Sequence, residues 1–134
     1  MEEVMSYTNT VPSDDVSRTE TPSLIAASKV KGTSVYNSAG ESLGSIDDVM
    51  VDKRSGRVNY AVMSFGGFLG MGEKFHPLPW DQLTYSEEHR GYVVNLDKNV
   101  LEGAPAYGMS DAPDWTSPAY TDRIDNYYGR LPIE

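Results

Sequence analysis

A chain of 134 residues, 39% hydrophobic and 10% aromatic, has room for one domain with tails. Its formal net charge of −9 opposes non-specific binding to nucleic acid or to anionic lipid. It has no cysteine, so neither a disulfide framework nor thiolate chemistry is open to it.

The opening MEEVMSYTNT is acidic and lacks the apolar run of a secretory signal. No stretch approaches the roughly 18–20 apolar residues of a membrane span. The expected location is the cytoplasm. Residues 1–23 carry −4 and residues 106–134 carry −3, leaving only −2 on 24–105. The leader, 1–23, is rich in Ser, Thr, Pro and Asp. It buries too little to offset its ordering entropy and reads as flexible.

From Leu24 the pattern becomes that of short strands. TSVY (33–36) is the first, NSAGES (37–42) a turn, and LGSIDDVMVD (43–52) a second strand, irregular near Gly44. KRSG (53–56) is a polar hairpin tip. RVNYAVMSF (57–65) alternates clearly, with Val58, Tyr60 and Val62 on one face and Ala61, Met63 and Phe65 on the other. Its end is apolar on both faces and should be covered on both. KFHPLPW (74–80) carries two prolines, which confine it to an edge or a strand terminus. YSEEHRG (85–91) reads as a turn and YVVNLD (92–97) as a last strand, with Tyr92, Val94 and Leu96 sharing a face. AASK (26–29), DQL (81–83) and KNVLEGAP (98–105) each hold a helical turn or two. In the tail, 106–134, TDRIDNYYGRLP predicts a short helix near 121–128, with Thr121 as N-cap, Gly129 as stop and Pro132 beyond. Ile124, Tyr127 and Tyr128 share one face. A helix this short must dock, on its own domain or on another chain.

Candidate chemistry is thin. Gly66, Gly67, Gly70 and Gly72 spell neither GxGxxG nor a P-loop, and they lie between two strands rather than before a helix. Asp47, Asp48 and Asp52 lack the order of a calcium loop and read as a solvated face or turn bonds. His76 and His89, without cysteine or HExxH, predict no metal site. No nucleophile elbow supports a Ser-His-Asp arrangement. Lys53, Arg54 and Arg57 form a small basic hairpin without interleaved aromatics, a weak footprint for nucleic acid. What remains is surface: Phe68, Leu69 and Met71 form an apolar tip in a glycine-rich turn, the mark of a contact site.

Five marks occur in order: VYNSAGESLG, IDDVMVD, GRVNY, GGFLG and PWDQL. Together they closely resemble the PRC-barrel family, in its bacterial stand-alone members, over roughly residues 24–104. The resemblance implies an all-β fold, a small barrel of about six short strands over 24–105, here with a short helical, aromatic-rich C-terminal extension. The family takes its name from the cytoplasmic domain of the photosynthetic reaction centre H subunit, and a related domain ends a ribosome maturation factor. In both the barrel docks or assembles without catalysis. This chain lacks the membrane helix of the first and the preceding domain of the second, so neither function transfers.

The resulting expectation is a non-enzymatic protein-interaction or assembly module, a homodimer with a further unknown protein partner, using no cofactor and no metal. Contact residues are expected at Phe68, Leu69, Met71 and Trp80, with Tyr127 and Tyr128 from the tail. A ribosome or RNA-assembly factor and a small-ligand or ion-binding barrel are the alternatives.

Overall fold

The computed structural model describes residues 20–65, 74–108, 110–111 and 113–129. The expected flexible leader therefore lies almost wholly outside the described residues, as does the glycine turn with Phe68, Leu69 and Met71. Two units are distinguished, Met1–Lys31 and Gly32–Glu134. In the first, Thr21 Oγ1 accepts the N–H groups of Ser23 and Leu24, and a single helical turn follows, α1 (Ala27–Val30).

The second unit is mostly β. Its strands are β1 (Ser34–Tyr36), β2 (Ser42–Val51), β3 (Val58–Phe65), β4 (Lys74–Pro79), β5 (Thr84–Ser86), β6 (Gly91–Val93) and β7 (Tyr107–Gly108). They form one seven-stranded sheet in the order β5-β6-β1-β2-β3-β4-β7. Neighbours are antiparallel except β1 and β6, which run parallel. Two short helices, a 3-10 turn at Trp80–Gln82 and α2 (Lys98–Glu102), fall where the helical patches of the sequence predict them.

The β1–β2 turn is built on Asn37, which is 4% exposed. Its Oδ1 accepts the N–H groups of Ala39 and Glu41, and its Nδ2 donates to Glu41 Oε1 at 2.7 Å. A buried amide is thereby satisfied and the turn fixed. At the β2–β3 tip, Asp52 Oδ1 accepts the N–H groups of Arg54 and Ser55, and these bonds lower its pKa. The aspartate closes the turn. Gly44 allows β2 to approach β3: a Cβ there would stand 2.0 Å from the Ser64 carbonyl oxygen.

Consecutive burial of Ala61, Val62 and Met63 in β3 means both faces are covered, as the apolar pattern predicts. The same holds for Phe75 to Leu78 in β4. β3 and β4 pair from Phe65–Lys74 to Tyr60–Pro79, so the glycine-rich stretch joins adjacent antiparallel strands. β7 pairs only with Lys74 and Phe75. The prolines of β4 thus sit where it has no strand partner on that side among the described residues, as a missing N–H requires.

Three expectations need correction. Among the described residues six strands lie within 24–105, as expected, but the tail, expected to hold only a helix, adds a seventh at the edge through Tyr107 and Gly108. The segment expected as a turn from Tyr85 begins as strand β5, held against β6 by Tyr85 edge-on to Tyr92, with centroids 5.2 Å apart. The last strand stops at Val93 rather than Asp97, although Tyr92, Val94 and Leu96 are all buried.

The tail helix α3 runs Pro118–Gly129, beginning three residues before Thr121. The Ser117 carbonyl accepts the N–H groups of Tyr120 and Thr121, and Pro118 takes the first helical position, where its missing N–H costs nothing. Thr121 Oγ1, expected as the cap, instead donates to the Pro118 carbonyl at 3.2 Å. The helix packs on β4 of its own chain, with Ile124 at 0% and Tyr128 at 2% exposure. Docking is therefore in cis. Among the described residues no helix is long and apolar enough to cross a membrane.

Candidate interaction groove

Where β4 ends, its ladder with β3 ends too. The last paired residues are Tyr60 and Pro79. Pro79 offers no N–H, and the chain turns away through the 3-10 turn, closed by Leu83 N–H on the Trp80 carbonyl at 3.1 Å. β3 is still paired with β2 at Val58, opposite Val51. At Val58 it is therefore paired on one side only. Beside this half-free stretch lies an open groove of about 720 Å³. Its walls are the start of β3, the Pro79–Gln82 corner and the end of α3, which contributes Asp125 and Tyr128.

Tyr60 and Asp125 tie the walls together: the phenol donates to Asp125 Oδ1 at 2.9 Å. Burial, then the bond and charge of Asp125, push the Tyr60 pKa up to about 12, so the hydroxyl stays a donor at any ordinary pH. On its other flank Tyr60 meets Trp115, 5.6 Å between centroids. Trp115 in turn stands perpendicular to Tyr120, which Arg123 overlies at 5.8 Å. This aromatic chain fastens the segment before α3 to the sheet. Trp80 is half-buried and held by an edge contact to Tyr92 at 5.3 Å. Tyr128 is buried with no acceptor for its hydroxyl among the described residues, and that burial raises its pKa. Arg57 and Asp81 complete the charges along the groove, giving two carboxylates to one guanidinium.

Of the residues expected to make contacts, Trp80 and Tyr128 come together in the groove. Tyr127 does not join them; its hydroxyl donates to the Val100 carbonyl of α2 and pins the helix to that element. Phe68, Leu69 and Met71 lie outside the described residues. The sequence reading missed Tyr60, Asp81 and Asp125. Tyr60 and Asp125 are 65 residues apart, and no local pattern links them.

Elsewhere, Ser86 Oγ lies 3.0 Å from His89 Nδ1, the pairing of a nucleophile and a base. The same hydroxyl also accepts the His89 N–H at 3.2 Å, so the pair is part of a three-residue turn bond. His76 in β4 is 2% exposed. Its Nδ1 has no partner among the described residues, and the ring meets Phe65 edge-on at 5.6 Å. Burial, then the charge of Lys74, lowers its pKa to about 4. Among the described residues no group of three or more His, Cys, Asp or Glu could hold a metal ion.

A family model for the PRC-barrel domain matches residues 22–101. The match takes in β1 to β6 and stops inside α2, so β7, α3 and the helix wall of the groove fall beyond it. No curated protein matches the chain.

Proposed function

The chain belongs to the PRC-barrel family, and from that premise we propose that it is a non-enzymatic interaction and assembly module that associates with itself in the cytoplasm. The seven-stranded sheet is, on this reading, the family's barrel, parted between β5 and β7. The observation that carries the proposal is the groove. It is an open, aromatic and carboxylate-lined surface next to strand backbone that is paired on one side only. Such a surface suits a polypeptide better than a reacting small molecule.

Self-association rests on a different surface. A core of this size gains from cover, and the sequence places an apolar tip at Phe68, Leu69 and Met71. Tyr127 and Tyr128, once candidates for that contact, are engaged within their own chain. Trp80 lies in the groove, so the interface reduces to the tip at Phe68, Leu69 and Met71. Sedimentation velocity at tens of micromolar tests it. The wild type should run as a dimer and the double variant Phe68→Ser/Leu69→Ser as a monomer. Two monomers would end the self-association reading.

A further inference from the structure

The groove lies beyond what the family assignment explains, because one wall comes from α3, outside the matched residues. Three features of it point the same way. First, β3 is paired with β2 at Val58, but its β4 partner stops at Pro79. An unpaired strand side is a template for an added strand. Second, the charge is unbalanced: Asp81 and Asp125 face one guanidinium, Arg57. Asp125 spends one oxygen on Tyr60, leaving Oδ2 for another donor. Third, Tyr60 and Trp80 supply aromatic surface beside those carboxylates, a combination that attracts cationic side chains.

We infer that the groove binds an extended peptide bearing a single basic side chain, which bonds the free side of β3 at Val58 and sets its cation against Asp81 and Asp125. Arg57 in the same groove repels a second cation, so the peptide carries one basic residue rather than a run. The amide of Gln82 lies along the same path and can bond the peptide backbone. This inference rests on the reading of the protein as an interaction module and names the kind of partner this surface takes.

The test uses the full chain, labelled with nitrogen-15, and the acetylated, amidated peptide Thr-Val-Arg-Val-Thr. Saturable shifts are expected at the amides of Val58, Asn59, Tyr60 and Gln82 and at the Trp80 indole. Asp81→Asn combined with Asp125→Asn should weaken binding about tenfold. Asparagine keeps the acceptor for Tyr60, and an otherwise unchanged spectrum verifies the fold. Replacing the peptide's arginine by glutamate, or methylating its central amides, should remove binding. The inference is overturned if the glutamate peptide binds equally well. It is also overturned if arginine amide alone gives the same shifts at the same affinity, which makes this a small-cation site. Groove signals that move with protein concentration alone assign the groove to a second copy, and no movement at millimolar peptide assigns it to none; either result overturns the inference. Sedimentation separates the two proposals. A dimer with unmoved groove signals sinks the peptide assignment alone, and a monomer that binds the peptide sinks self-association alone.

Discussion

Acid should weaken this fold through one histidine. His76 is 2% exposed, and its pKa is held at about 4 by burial and then by Lys74, against an ordinary 6.5. A lowered folded pKa means that the unfolded chain takes up the proton first. The contribution of neutral His76 is thus complete above about pH 6.5 and is lost progressively as pH falls toward about 4. At about 1.4 kcal/mol per pH unit, the whole gap corresponds to about 3 kcal/mol as an upper figure. Between pH 7 and 4.5, about 2 kcal/mol is a fair expectation after relaxation around the ring. Carboxylates such as Asp52 and Asp114, whose pKa values are lowered by turn bonds, also titrate in acid, so a reference protein is needed. His76→Gln supplies it, being neutral throughout and of similar volume. Urea unfolding followed by tryptophan fluorescence, in pH steps, should show the wild type losing about 2 kcal/mol more than the variant over that range. Parallel pH profiles for the two proteins would refute the reasoning.

Two backbone positions give further tests. Gly44→Ala would place a Cβ 2.0 Å from the Ser64 carbonyl oxygen, a backbone atom that cannot move without parting β2 from β3. A loss of about 3 kcal/mol or more is expected in the same urea assay, and an unchanged midpoint would show that the strands are not so close. Arg90 in the β5–β6 turn has φ of 55, a left-handed conformation that glycine adopts without strain. Arg90→Gly should therefore cost nothing or stabilise by up to about 1 kcal/mol, read as a rise in melting temperature, whereas a clear drop would mean that the side chain carries its own stabilising contact.

What could be read in advance follows the range of the interactions concerned. β3 shows in the alternation of Val58, Tyr60 and Val62 because its burial is a local, period-two property. The Asn37 turn and the Asp52 tip are likewise local, each closed within four residues. β5 is hidden because its pairing depends on Tyr92, while Glu87, Glu88 and His89 beside it read as a turn. β7 has two residues and no periodicity; only Phe75, stacked on Tyr107 at 5.5 Å, reveals it. The groove was half visible. Trp80 and Tyr128 stand out as aromatics, but Asp125 is an ordinary surface acid of a helix until folding brings it to Tyr60. The helix start was misplaced for a local reason: a threonine before an aspartate looks like a cap, whereas Ser117 and Pro118 take that position.

The position of α3 has a consequence for synthesis. The ribosome releases β4 some forty residues before the helix that packs on it, since β4 closes at Pro79 and α3 opens at Pro118. During that interval the contact site for Ile124 and Tyr128 has no helix on it. The nascent chain therefore passes through a stage in which its sheet can pair before its cover exists. A chaperone or a neighbouring nascent chain has its opportunity at that stage, and it closes when the helix arrives.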